Sequence, residues 1–162
     1  MEEKGQLINS ALSIIKANHL LSLGTFDQKG KQPCISSAYY AFDKNFCLYI
    51  WTDPNARHSL NIGKNLRVAV NIANTTQPWG SLLQGVQITG TAKKLSGMDA
   101  LFAGALYLKR YARASKYIKQ LSDFSSKKYQ SRLYRIEIKT IKILDEKSFG
   151  KEEYKELSII RK

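Results

Sequence analysis

The chain has 162 residues, which suits a single domain over 1–162, long enough to bury a core without disulfide staples. Its 43% hydrophobic and 10% aromatic content exclude a disordered protein, and its apolar runs, such as Ala38–Phe42 and Phe46–Trp51, are too short to span a membrane. A net charge of +13 sits mostly in the second half: residues 1–81 carry 8 Lys/Arg against 5 Asp/Glu, residues 82–162 carry 18 against 8. Two cysteines, Cys34 and Cys47, make no disulfide framework, and Met1-Glu2-Glu3-Lys4 does not read as a signal peptide; both point to a cytoplasmic setting.

Gln6–Ala17 spaces its apolar residues for one amphipathic helix. His19–Asp27 and Gln32–Phe42 read as strands joined by a hairpin in which Gly30 supplies the positive φ. A tight turn at Asp43-Lys44-Asn45 leads into a third strand, Phe46–Thr52. After the breaker Asp53-Pro54-Asn55, Ala56–Ile62 is long enough only for a short helix. Arg67–Ala73 is a strand of alternating character. Leu83–Leu95 is another, with Gly85 and Gly90 marking a bend or a close backbone approach. Ser96-Gly97-Met98-Asp99 predicts a capping box opening a helix to about Tyr111, followed by a helical piece over Ala112–Leu121. Arg132–Leu144 alternates as a last strand before a charged tail. The pattern predicts a mainly β, α+β fold: a small antiparallel barrel of about six strands, with an N-terminal helix and a helical insertion before the last strand.

The usual catalytic constellations are mostly missing; Cys34 and Cys47 lie inside strands and read as buried structural thiols, with a Cys/His nucleophilic pair as the alternative. His19 and His58 are not spaced as metal ligands, and neither a Walker loop nor a Gly-x-Gly-x-x-Gly turn is present, so no catalytic residue and no metal site are assigned. Trp51-Thr52-Asp53-Pro54-Asn55-Ala56-Arg57-His58 combines a strand end, a hydroxyl and a basic pair at a helix start. Free N–H groups, a hydroxyl and a guanidinium make a phosphate cradle, unless Asn55 merely caps the helix and Arg57 is a solvated surface charge.

These residues resemble the FMN-binding split barrel of the pyridoxamine phosphate oxidase group. The matching features are the meander, the strand end Trp51-Thr52, the motif at Arg57-His58, the strand Asn65-Leu66-Arg67-Val68-Ala69-Val70, and Gly90-Thr91-Ala92-Lys93-Lys94-Leu95. Thr52/His58, Gly85-Val86-Gln87 and Ser148-Phe149-Gly150-Lys151 further resemble a small bacterial branch of uncharacterised proteins. The resemblance covers roughly two thirds of the chain and implies an FMN-dependent oxidoreductase, a homodimer with flavin at its interface, and a small-molecule substrate. It puts the phosphate on Thr52, Arg57 and His58, and the flavin ring along Ser36, Ser37, Ala38 and Tyr39 with Trp51 nearby. The ring-side Gln of the oxidase falls on Gly85, two residues from Gln87, which takes its place. Its substrate-gripping Arg-x-His has no counterpart in Arg132–Leu144, which argues against pyridoxamine phosphate as substrate.

Two other readings remain open. The same barrel could hold haem or another cofactor, with His58 or His19 as axial ligand. Alternatively, Lys109, Arg110, Arg113, Lys116 and Lys119, at helical spacing and extended by Lys127, Lys128, Arg132 and Arg135, could form a cationic face for nucleic acid, with Tyr107, Tyr111 and Tyr117 to stack bases. The plainer reading of that stripe is a solvated face.

Overall fold

A computed structural model describes residues 2–160. The elements, in order, are α1 (Glu2–Ala17), β1 (Leu20–Asp27), β2 (Gln32–Phe42), β3 (Cys47–Thr52), α2 (Arg57–Lys64), β4 (Arg67–Ala73) and β5 (Gln84–Lys94). Then come α3 (Gly97–Arg110), two 3₁₀ turns (Ala112–Lys116 and Leu121–Phe124), β6 (Arg132–Asp145), α4 (Glu146–Phe149) and β7 (Tyr154–Ser158). The strands run in the order β3-β2-β1-β4-β5-β6, and β3 pairs back onto β6, closing a six-stranded antiparallel barrel. The expected α+β barrel is the observed one.

Strand alternation explains two packed layers. Leu48 and Ile50 of β3 enter the barrel core with Leu21, Leu23, Val70, Ile88 and Ile136. Cys47 and Tyr49, on the opposite face of the same strand, join Ala103, Tyr107, Phe124 and Leu133 under α3. Helix α1 lays Ala11, Ile14 and Ile15 on the barrel core. Ser10 and Gln84 fasten that end by donating to the buried Asp145 carboxylate, each at 2.7 Å. Burial opposes ionisation of Asp145, but hydrogen bonds from Ser10, Gln84 and Ser148 outweigh it and hold the carboxyl below its ordinary range.

Several local expectations are corrected. In the first hairpin the positive φ falls on Lys31, at 50°, while the Asp27 carboxylate collects the N–H groups of Lys29 and Gly30. Ser96 is the N-cap of α3 but makes no side-chain cap hydrogen bond; a capping box forms instead between Gln120 and Asp123. The helical piece expected over Ala112–Leu121 is replaced by the two 3₁₀ turns. The charged tail contains α4 and β7, the latter pairing with Thr140–Leu144 of β6. Gly90 sits at a bulge where a Cβ would run into the Glu137 carbonyl oxygen, a close approach of the kind its strand position suggested.

Candidate functional site

The ring of strands is sealed unevenly. Strand β3 pairs with β6 over six residues, Cys47–Thr52 against Arg132–Glu137, but with β2 over only three, Tyr40–Phe42. Strand β2 pairs with β1 from Gln32 to Tyr39. That stretch therefore has a strand on one side and an open edge on the other. Continued past Tyr40–Ile50, the β2–β3 register would bring Ala38 opposite Thr52; instead the strands part there. An open edge offers backbone N–H and C=O groups to whatever lies in the gap.

At the mouth of this split, β3 runs through a turn into α2. Asp53 organises the turn: its carboxylate accepts the Asn55 N–H at 2.8 Å, and its carbonyl accepts the Ala56 N–H at 3.1 Å and the Ser59 hydroxyl at 2.7 Å. The N-cap of α2 is Ala56, not Asn55, and no side chain caps it. A position that favours Ser, Thr, Asp or Asn thus leaves first-turn N–H groups without a side-chain acceptor. The hydroxyl of Thr52 and Nε2 of His58 share a 2.7 Å hydrogen bond. Burial pushes the His58 pKa below its ordinary 6.5, only partly opposed by Asp53. Its imidazole is therefore neutral at pH 7. The Arg57 side chain is 65% exposed and reaches Asp27 at 4.0 Å, a loose pair that leaves most of the guanidinium to solvent. From α2, Asn61 donates to Thr25 at 3.1 Å and fixes the helix on β1.

The structure thus pairs Thr52 with His58, points Arg57 from the same helix start toward Asp27 of β1, and leaves Ser36, Ser37, Ala38 and Tyr39 on the open edge of β2. Ser36 and Ala38 face inward and are half-buried; Ser37 and Tyr39 face outward and are exposed. Two residues stand apart. Trp51 turns into the layer under α3, against Phe124, Tyr129 and Tyr107 at ring separations of 5.3, 5.8 and 6.3 Å. Its indole N–H is buried there without a hydrogen-bond partner. Gln87 is on the outer face of β5, with β1 and β4 between it and β2.

The basic stripe does not form one cationic face, because α3 ends at Arg110. Arg110 lies over the Tyr40 and Phe42 rings, at 5.0 and 4.9 Å, and donates to the carbonyls of Ile15, Lys16 and Asn18, closing the C-terminal end of α1. Arg132 donates to the carbonyls of Tyr129, Gln130 and Ser131. Arg135 pairs with Glu137 at 2.8 Å and Asp99 at 3.7 Å. Tyr111, whose sequence context gives no signal for it, ties the Tyr40 N–H to its hydroxyl at 3.3 Å. The ring of His19 packs against Tyr111, 5.9 Å between centroids, and His19 helps wall a cavity of about 350 Å³ with Ser22, Ser37 and Asn71. Among the described residues, no helix is long and apolar enough to cross a membrane.

No curated protein matches the chain. Among solved structures it is similar to a haem-binding protein from Mycobacterium smegmatis, with a TM-score of 0.74 at 16% identity, over 93% of this chain and 57% of that one. It thus spans little more than half the length of that neighbour. General Stress Protein 26 from Bacillus anthracis gives 0.64 at 17% identity, over 93% and 98%. HutZ, the haem storage protein of Vibrio cholerae, gives 0.63 at 16% identity, over 79% and 87%. At these identities the likeness speaks for the fold. The family model of pyridoxamine 5'-phosphate oxidase matches residues 9–145. With most of its length inside that match, and with a closed antiparallel barrel split beside Thr52 and His58, the chain belongs to the pyridoxamine 5'-phosphate oxidase family.

Proposed function

We propose that the chain binds FMN in the split between β2 and β3 and acts, as a homodimer, as a flavin-dependent oxidoreductase on a small substrate. The observation that carries this reading is the open β2 edge ending beside the uncapped start of α2 and the Thr52–His58 pair. The donor set suits the group. Backbone groups of Ser36–Tyr39 would meet the polar edge of a flat heterocycle. The Arg57 guanidinium, the Thr52 hydroxyl and the first-turn N–H groups of α2 would hold a phosphate. His58 would donate as a neutral imidazole, so the phosphate charge is answered by Arg57 and the helix start. Bound FMN supplies the hydride chemistry, which is why the chain needs no acid–base constellation of its own. Trp51 would support the site from behind, through the layer under α3, and not by touching the ring.

The test is FMN titration of the purified protein, followed by flavin fluorescence, beside the Arg57→Ala variant. Wild-type binding that weakens about 10–100-fold in the variant supports the assignment. Unchanged binding in the variant would move the phosphate elsewhere.

One observation favours a second cofactor. With His58 engaged by Thr52, His19 is the exposed imidazole beside a cavity, and the structural neighbours from Mycobacterium smegmatis and Vibrio cholerae are haem proteins. A Soret band that depends on His19 would replace the flavin reading.

A further inference from the structure

The layer under α3 contains a continuous series of oxidisable rings. Tyr39 of β2 lies 5.7 Å from Tyr111, Tyr111 lies 4.9 Å from Tyr107, Tyr107 lies 6.3 Å from Trp51, and Trp51 lies 5.8 Å from Tyr129, all between ring centroids. The series starts on the open edge of β2, where Tyr39 is 57% exposed. It ends in the loop before β6, where the half-buried Tyr129 donates its hydroxyl to the Tyr117 carbonyl. Strands β2 and β3, helix α3 and two loops each supply a ring, so no single burial pattern places them. Leucine or phenylalanine would bury comparable apolar surface at these positions. Tyrosine and tryptophan add the capacity to give up one electron, and these ring separations suit tunnelling from each to the next.

The polar ends of the rings rank the sites. The Tyr111 hydroxyl donates to main-chain carbonyls, of Tyr40 at 2.8 Å and His19 at 3.1 Å, and accepts from the Arg110 guanidinium at 3.3 Å. A carbonyl is no base, so a proton does not leave Tyr111 with the electron. Burial pushes the Tyr107 hydroxyl up to about 12, which opposes its ionisation in the same way. Indole loses an electron without losing a proton, and the Trp51 N–H is buried with no acceptor to take one. We propose that the five rings conduct single electrons between the open β2 edge and the surface at Tyr129, and that an electron hole entering at Tyr39 comes to rest on Trp51. A one-electron oxidant at the β2 edge is reduced by one electron, drawn from Trp51 through Tyr107, Tyr111 and Tyr39. Trp51 becomes an indole radical cation that keeps its N–H proton, and no bond is made or broken. A thiol in solution that reaches Tyr129 returns the electron, leaves as a thiyl radical and loses its proton to water. The path belongs to the side chains alone; its service to a bound cofactor, by carrying stray oxidising equivalents out of the split, rests on the flavin reading.

The test therefore uses an attached oxidant, with FMN absent. In a Cys34→Ser, Trp79→Phe background, Ser37→Cys at the exposed β2 edge is labelled with a ruthenium tris-bipyridine photosensitiser. Cys47 is buried and stays unlabelled. A laser flash with a cobalt(III) ammine as quencher generates ruthenium(III) at the label, and transient absorption follows the radical formed. The proposal expects the visible band of an indole radical cation, abolished by Trp51→Phe and reduced several-fold by Tyr107→Phe. Among the described residues the Tyr107 hydroxyl makes no hydrogen bond, so Tyr107→Phe removes a redox site and little else; circular dichroism confirms that each variant is folded. A thiol such as glutathione should shorten the life of the radical, and Tyr129→Phe should remove that effect. A folded, labelled protein that gives no indole radical, or gives it undiminished in Tyr107→Phe, overturns the path. Thiol quenching unchanged in Tyr129→Phe overturns its exit. FMN retention, measured separately on unlabelled protein, tests the flavin reading without touching this result.

Discussion

The two seams of β3 differ in what they are made of. On the β6 side six residues pair without interruption, and the strands bury Leu133 and Ile136 in the two layers they separate. On the β2 side pairing stops after three residues, and beyond them lie a backbone edge, a hydroxyl, an imidazole and an uncapped helix start. One strand thus serves stability along one edge and, in the proposed function, recognition along the other. The contrast teaches that, in this barrel, the proposed site lies where a strand pair is missing. The polar groups left there suit a ligand because no strand uses them.

The largest expected effect lies on the sealed side. Phe124 is 1% exposed, with its ring packed so closely on Gly104 that a Cβ there would clash with it. Phe124→Ala should cost about 3–5 kcal/mol of stability, read as the midpoint of urea unfolding. A cost near that of a surface substitution would show that the layer under α3 contributes little. Next comes Arg57→Ala on the open side, worth about 1.5–3 kcal/mol of FMN affinity while stability moves by no more than about 0.5 kcal/mol. A stability loss as large as the affinity loss would erase the division between the seams.

Arg110→Ala should cost about 1–3 kcal/mol, because three main-chain carbonyls at the end of α1 lose a charged donor. Arg113→Ala, in the neighbouring 3₁₀ turn, should cost much less. Equal costs would return Arg110 to the solvated surface. The smallest effect concerns His58. Its folded pKa lies below the ordinary 6.5, so the unfolded chain takes up the proton first. The stability this contributes is complete above pH 6.5 and is lost as pH falls through that value toward the folded pKa. His58→Asn should flatten that part of the pH–stability curve in FMN-free protein. An unchanged slope would place its origin elsewhere.

Much of the fold is legible in the sequence because strand alternation is local. The limits of Gln32–Phe42 and Arg67–Ala73 agree with those read from apolar patterning alone. Strand β7 escapes because only Leu157 of its five residues is buried, so it carries no alternation that stands out from a charged tail. The basic stripe misleads for a related reason. Arg110 and Arg132 spend their charge on main-chain carbonyls, partners that leave no mark in composition or spacing. At the site, Thr52 and His58 are legible as a pair because the turn between them is short. The split is legible only through the family resemblance and not from local patterning, since it depends on β3 choosing β6, 80 to 90 positions along the chain, over the rest of β2. Trp51 reads as a neighbour of the ring because it sits near the strand end. Yet strand alternation turns it away from Thr52, into the aromatic layer.

The most direct test of the flavin-filled split is the visible absorption spectrum of the protein after incubation with FMN and passage through a desalting column. The account predicts flavin bands that elute with the wild-type protein and are lost in large part with Arg57→Ala. A folded wild-type protein that emerges colourless would contradict it.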